Sequence, residues 1–239
     1  MIEFHDFAGT GFQLTDAVIQ PGAESLILVE TAGQAAEVLN CLAGLQAPGR
    51  GSITLFGRDL RTLERDDRLQ ALSQIGIIPQ DGGLLTALPV WNNILLSRLY
   101  QPGRHQEDLG GEFQEAVRFC QEACDPVDEW LYLLPDYVSL YQRRLAAFLR
   151  LMLCHPALCI YENLTGNLPA RQKDSLLALT RRFHRQQPGR ISIYLEFDPG
   201  LLADRWPGLL LRGVAAAHSH SNAQEHADTS SLRISIAPF

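Results

Sequence analysis

The sequence lacks several features that would assign it to other classes of protein. No apolar run reaches the roughly 20 residues that a bilayer-spanning helix needs, so any role at a membrane is predicted to depend on a partner. Acidic residues outnumber basic ones by 27 to 20. This balance argues against nucleic acid as the main partner, because phosphate backbones attract Lys and Arg. The first six residues, MIEFHD, contain no basic stretch followed by an apolar core, and no signal peptide is expected here.

Cysteine and histidine also fail to form a convincing metal site. The five cysteines lie mostly among apolar residues and follow no zinc-binding spacing, which favours buried, reduced thiols. His218 and His220 form a His-x-His pattern with His226 close by. Such a pattern can bind a transition metal, but no carboxylate or thiol completes the set. A polar loop is the favoured interpretation, and no metal site is predicted.

The stretch from 134 to 169 predicts the centre of an α/β protein. A helix is predicted over 139–154, and His155-Pro156 ends it. The apolar run that follows leads directly to Glu162 and Asn163, which is typical of a central strand in a parallel sheet. Polar residues at the carboxyl ends of such strands commonly form the functional site of an α/β fold.

This stretch resembles the core of the ATP-binding-cassette (ABC) ATPase subunits that drive ABC transporters. Residues 138–142, VSLYQ, align without a gap with the family's LSGGQ signature. Glu162 falls on the aspartate of the family's Walker B motif, and Asn163 falls on its catalytic glutamate. The resemblance implies an α/β, P-loop NTPase-like ABC ATPase fold, with a mostly parallel sheet core, an antiparallel β edge and a helical subdomain.

The signature itself departs from the family's pattern. Its positions in this chain are Ser139, Leu140, Tyr141 and Gln142. In the family, the two glycines of the motif present N–H groups to an ATP held by the partner subunit. Leu140 and Tyr141 are bulky residues where that close backbone approach is needed.

A strand at 25–30, a short loop and a helix predicted over 34–45 form the usual setting of a phosphate-binding loop. By the resemblance, residues 29–36, VETAGQAA, lie on the family's G-x-x-x-x-G-K-S motif. The positions that would face a nucleotide are Thr31, Gly33, Gln34, Ala35 and Ala36. The two alanines replace the lysine that neutralises phosphate and the hydroxyl that holds magnesium. A bare helix N-terminus supplies only about 1 kcal/mol of anion attraction, so tight ATP binding in the family's manner is not expected.

Residues 80–93 match the family's Q-loop at full length and begin with Gln80, after a predicted buried strand at 75–79. In the family this loop senses nucleotide and contacts the coupling helix of the membrane subunit. The run looks most like the branch that serves lipid transport with Mce-type partners. The family's switch histidine is missing. One register places Phe197 at its position, and a shift of one residue places Glu196 there.

The resemblance divides the chain into four parts. They are a RecA-like core with a β subdomain (1–88), a helical signature subdomain (89–155), the second part of the core (156–217), and a His-rich loop with a C-terminal strand (218–239).

The altered motifs predict a catalytically degenerate ABC subunit with a structural or regulatory role in a membrane transport complex and with no required cofactor. The alternative is an active ATPase that uses ATP and magnesium at an atypical site, with Glu162 as the magnesium ligand and Gln80 placing the water. A third interpretation is a free-standing adaptor with a different ligand in the vacated pocket. The resemblance implies a transmembrane permease partner, a homodimer or a heterodimer with another ABC subunit, and a cytoplasmic location at the inner face of the cell membrane.

Overall fold

A computed structural model of the chain describes residues 1–10, 12–14, 16–99, 109–121, 129–196, 206 and 208–212. Within these residues the chain forms nine strands and six α-helices. The strands are β1 (Ile2–Gly9), β2 (Phe12–Leu14), β3 (Ala17–Ile19), β4 (Glu24–Leu28), β5 (Arg50–Leu55), β6 (Ile75–Ile78), β7 (Leu158–Glu162), β8 (Ile191–Glu196) and β9 (Leu209–Arg212). The helices are α1 (Ala32–Leu42), α2 (Arg65–Leu72), α3 (Val90–Leu99), α4 (Leu109–Gln121), α5 (Leu140–Cys154) and α6 (Ala170–Arg185).

Five strands form a parallel sheet in the order β6-β7-β8-β4-β9. The inner strands β7, β8 and β4 are mostly apolar and mostly buried, as is typical of a parallel sheet covered on both faces. Since the strands run in the same direction, their carboxyl ends meet at one edge. The mostly parallel core that the sequence predicted is confirmed.

The second sheet is antiparallel and is centred on β1. One edge of β1 pairs with β2 and β3, and the other edge pairs with β5. Helix α1 contacts strands of both sheets. Phe4, Phe7 and Phe12 form an aromatic cluster. This cluster lies in the same hydrophobic core as the buried residues of α1. This sheet is the predicted antiparallel β edge.

Helices α3 and α4 pack on α5, and α5 also packs on β6 of the parallel sheet. Ser139 caps α5, and Gln142 completes a capping box with it. The helix ends at His155, which adopts a left-handed conformation directly before Pro156. The helix predicted over 139–154 is therefore confirmed, with Ser139 as its N-cap rather than its first turn.

Helix α1 differs from its prediction. It begins at Ala32 and ends at Leu42, whereas 34–45 was expected. Two predicted features lie outside the described residues, namely the His-rich segment at 218–226 and the C-terminal strand. The four-part division of the chain stays a prediction.

Candidate nucleotide-facing site

The carboxyl ends of the parallel strands bring three predicted site residues together. Gln80 follows β6, Glu162 ends β7 and Asn163 follows it. The backbone N–H of Gln80 donates a hydrogen bond of 3.1 Å to Oε2 of Glu162. The structure therefore places the first residue of the Q-loop against the Walker B position, as expected for neighbouring parallel strands.

The segment after β4, at the phosphate-loop position, is a capped helix start. The Thr31 side chain accepts a hydrogen bond of 3.2 Å from the backbone N–H of Gln34. The Gln34 side chain accepts one of 2.8 Å from the backbone N–H of Glu30. Gly33 lies in the first turn of α1 and has no positive φ. Two backbone N–H groups of this segment, those of Glu30 and Gln34, are thus bonded to the chain's own side chains.

The early start of α1 corrects two expectations about this segment. The helix N-terminus is capped rather than bare, because Thr31 occupies the N-cap in an extended conformation. Ala35 is completely buried (0% exposed) in the core shared by the two sheets, so its side-chain position does not face solvent. Ala36 is half-buried at the surface of the helix.

An open depression of about 560 Å³ lies beside this helix start. Its lining consists of Thr10, Thr31, Gly33, Gln34, Ala36, Glu37, Asn40 and Gln46. None of these described lining residues is basic, and Glu37 accepts a hydrogen bond of 2.8 Å from the backbone N–H of Thr10. A triphosphate carries several negative charges and needs cations or free N–H donors. The residues present do not fit it.

Asn163 is the residue that the resemblance aligns with the family's catalytic glutamate. It is buried and has a positive φ of 43°, a conformation that Asn tolerates better than most residues. Its backbone N–H donates to the carbonyl of Leu195, and its own carbonyl accepts from Gly166. A side-chain amide is not a base at neutral pH, so Asn163 cannot take a proton from water.

The signature positions form the first turn of α5. Ser139 Oγ accepts from the N–H of Gln142, and the Gln142 side chain accepts from the N–H of Ser139. Tyr141 is only 7% exposed and lies in the core of the helical layer, while Leu140 packs against the same core. The Tyr141 side chain therefore lies within the chain's own core, and the role of the two bulky residues in excluding a partner's nucleotide stays a prediction.

The sequence-based prediction did not include Arg144, the most deeply buried charged group at this edge of the sheet. It lies on α5 and is 0% exposed. Its guanidinium donates to the backbone carbonyls of Gln80, Leu164 and Gly166, at 2.8, 2.9 and 2.7 Å. Burial lowers the pKa of Arg144 to about 10, and the negative charge of Glu196 opposes that shift. The available sequence signal was an arginine three residues after Tyr141 and four before Phe148, on the apolar face of the helix.

The switch position is only partly described. Glu196 ends β8, is buried, and pairs in register with Leu28 of β4. Its carbonyl accepts from the N–H of Val29. Phe197 lies outside the described residues.

The described residues contain neither a metal-binding cluster nor a membrane-spanning helix. No group of three or more His, Cys, Asp or Glu side chains in these ranges is arranged to hold a metal ion. None of the helices in the same part of the chain combines the length and apolar character needed to cross a membrane.

Comparisons with known proteins identify the relatives of the chain, although no family model matches it. It is 25% identical to "Methionine import ATP-binding protein MetN" of Legionella pneumophila over 166 residues, which cover 70% of this chain and 47% of the relative. It is 27% identical over 172 residues to "Lipoprotein-releasing system ATP-binding protein LolD 1" of Rhodopirellula baltica, covering 71% of this chain and 72% of that protein. The chain thus spans less than half of the methionine import relative and nearly three quarters of the lipoprotein-releasing one.

Solved structures agree on the fold. The dimeric structure of MJ0796, a bacterial ABC transporter cassette, gives a TM-score of 0.73 at 17% identity, covering 89% of this chain and 94% of that one. The cbiO1 protein of Clostridium perfringens, part of the ABC transporter complex cbiONQ, gives 0.72 at 13% identity, covering 89% and 86%. The chain is a homologue of ABC transporter ATP-binding proteins and has the fold of an ABC ATPase cassette.

Proposed function

We propose that this chain is a catalytically degenerate ABC cassette that acts as a structural or regulatory subunit of a membrane transport complex. Its scaffold is that of an ATP-driven subunit, but the groups that would bind and hydrolyse ATP are replaced.

The observation that carries this proposal is the capped helix start after β4. The N–H groups of Glu30 and Gln34 already donate to the side chains of Gln34 and Thr31. Opening this arrangement for a phosphate would break both hydrogen bonds, each worth about 0.5–1.5 kcal/mol. No lysine or magnesium-binding hydroxyl at positions 35 and 36 would offset that loss.

The catalytic side of the site supports the same conclusion. Loss of a general base typically lowers an enzyme's rate by about 10²–10⁴, and Asn163 stands where that base is found in the family. Loss of a preorganised electrostatic donor lowers the rate by about 10²–10³. The two effects do not multiply simply, but together they leave no effective turnover.

The test is an ATPase assay on the purified chain with magnesium. We expect a rate equal to the buffer blank. Asn163→Ala and Glu162→Ala should leave that rate unchanged, as should the control Glu64→Ala on exposed surface. A measurable rate that Asn163→Ala or Glu162→Ala abolishes and Glu64→Ala preserves would overturn the proposal.

One observation favours the alternative of an active ATPase with an atypical site. The N–H of Gln80 meets the carboxylate of Glu162, so the residues assigned to water placement and magnesium binding are adjacent. The same assay distinguishes the two functions, because only the alternative predicts hydrolysis that depends on both residues.

The partners are part of the proposal. A transmembrane permease and a second ABC subunit, identical or different, would complete the assembly at the inner face of the membrane. The name of the relative from Rhodopirellula baltica concerns lipoprotein release, and it supports a lipid-linked cargo. Co-purification from native membranes should recover a permease and show whether an intact ATPase subunit accompanies it. A monomer that brings down no membrane protein would favour the free-standing adaptor instead.

A further inference from the structure

We propose that Arg144 is the centre of a clamp that fixes the Q-loop and the loop after β7 to the signature helix. The clamp holds these three segments as one rigid unit without any nucleotide. The inference does not depend on whether the chain hydrolyses ATP, since it concerns hydrogen bonds within the chain.

The geometry of the guanidinium carries the proposal. Its Nε donates to the carbonyl of Gln80, the first residue of the Q-loop. Its Nη1 donates to the carbonyls of Leu164 and Gly166, in the loop that follows β7. Three carbonyls from two loops therefore converge on one side chain of α5. Removing that side chain would take the partner from one buried and two partly buried carbonyls, which is more costly than losing an exposed contact.

Other contacts fasten the rest of the Q-loop to the same helix. Arg150, six residues later on α5, donates to the carbonyls of Gly82 and Gly83 at 3.2 and 2.9 Å. A Cβ at Gly82 would lie 2.8 Å from the backbone of Arg143, and Gly82 has a positive φ of 91°. The loop backbone thus lies directly against the helix, in a conformation that favours glycine.

The far end of the Q-loop is held by α3. The side chain of Asn93, 0% exposed, accepts from the N–H of Leu85 and donates to the carbonyls of Leu85 and Leu88. From Gln80 to Leu88, side chains from β7, α5 and α3 anchor the loop backbone. Such a loop should behave dynamically as part of the core.

The consequence is a fixed relation between the signature helix and the Q-loop. A loop that changed position with nucleotide would have to break the Arg144 hydrogen bonds to Gln80 or to Leu164 and Gly166. The clamp instead presents the Q-loop surface in one conformation, with the Leu85 side chain exposed.

Hydrogen exchange of the full-length chain at neutral pH, without nucleotide, tests the clamp. In the wild type, the amides of Gln80, Gly82 and Leu85 should exchange at least about tenfold more slowly than those of Arg61 and Thr62. Arg61 and Thr62 lie in an exposed loop and donate to Asp59, so they are a hydrogen-bonded reference. Equal rates in the two loops would overturn the proposal, and this comparison needs no variant.

Substitutions of Arg144 test whether this residue is responsible for the slow exchange. Arg144→Met should accelerate exchange about tenfold in residues 80–83 and 164–167 while leaving the β1–β5 pairing unchanged. Arg144→Lys keeps the charge but not the planar fork, so it should accelerate the same two segments. Arg143→Met, the neighbouring control, should change both by less than about twofold, since the Arg143 atoms nearest to Gly82 belong to the backbone and Cβ, which the substitution keeps. Uniform acceleration over the whole chain, or acceleration with Met but not with Lys, would contradict the clamp.

Discussion

Two segments at the same edge of the parallel sheet have very different contacts. The phosphate-loop segment after β4 bonds mainly to itself, through Thr31 and Gln34. The Q-loop after β6 is bonded to Glu162 of β7 and to Arg144 and Arg150 of α5. Its last residue, Asn93, lies in α3 and bonds back to Leu85. The first segment has become an ordinary connection between a strand and a helix. The second has no regular secondary structure over most of its length, but its backbone is hydrogen-bonded to side chains of the surrounding core.

The difference shows which parts of an ABC cassette can be separated physically. Nucleotide binding needs cations and available N–H donors at the phosphate-loop position. The described lining there contains no basic residue, and the N–H groups of Glu30 and Gln34 are already bonded to side chains. Presentation of a partner-facing loop needs only that the loop backbone be fixed. Interactions within the chain meet that requirement, so the loop can keep a defined surface whether or not the chain binds nucleotide.

The largest expected effect comes from restoring the missing lysine. Ala35→Lys should lower the free energy of unfolding by about 3–5 kcal/mol, because it places an unpaired charge in the core between the sheets. The matched control is Ala36→Lys on the half-buried neighbour, with a loss of less than about 1 kcal/mol. Urea unfolding measures both. Equal, small losses, together with ATP binding by the Ala35→Lys variant, would show that the segment still opens as a phosphate loop.

The second prediction concerns the anchored segment. Asn93→Ala should cost about 2–3 kcal/mol of stability, because it leaves buried N–H and carbonyl groups of the Q-loop without partners. Asn92 is the next residue on α3 and is exposed. Its change to Ala should cost less than about 0.5 kcal/mol. If the two variants unfold at the same urea concentration, the Q-loop is not anchored as described.

Smaller effects are expected from the caps of the two helices that carry altered motifs. Thr31→Ala and Ser139→Ala should each cost about 1 kcal/mol, since each removes the acceptor for a helix N-terminal N–H. Thr31→Ser and Ser139→Thr keep a hydroxyl and should retain most of that stability. Thermal unfolding of the four variants checks this. A Thr31→Ala variant as stable as the wild type would mean that Thr31 does not cap α1 in solution.

The smallest expected effect is a change in the pKa of Cys41 when the negative charge of Glu37, beside the phosphate-loop segment, is removed. Burial, followed by the negative charge of Glu37, raises the pKa of Cys41 to about 11. A raised pKa keeps the Cys41 thiol protonated at pH 8, so that it is alkylated slowly. The alkylation rate should rise only as the pH approaches the pKa of Cys41. Glu37→Gln should move this rise to lower pH. Cys159, whose pKa burial raises to about 12, is the internal control and should not respond. If Glu37→Gln left the pH dependence of Cys41 alkylation unchanged, the charge of Glu37 would not contribute to the raised pKa of Cys41.

Much of the fold could be predicted from local patterns in the sequence. The capping residues Ser139 and Gln142 and the His155-Pro156 stop defined α5 almost to the residue. The apolar run before Glu162 correctly indicated a central parallel strand. These signals depend on neighbouring residues, which is why sequence reasoning found them.

The site was harder to predict. The start of α1 was placed too late because the segment was aligned with the family's long phosphate loop. The Thr-x-x-Gln pattern from Thr31 to Gln34 was itself a helix-start signal. The burial of Arg144 had a local signal in its place on the apolar face of α5, but its partners had none, because one carbonyl that it binds lies 64 residues away in the chain. Contacts between distant loops follow from the tertiary fold and leave no local pattern.

The most direct test of the central claim is a calorimetric titration of the purified chain with ATP and magnesium. We predict no saturable binding up to millimolar nucleotide, because the side chains of Gln34 and Thr31 occupy two N–H donors of this segment and position 35 is alanine rather than lysine. Saturable binding at micromolar concentrations, lost when magnesium is omitted, would contradict the account.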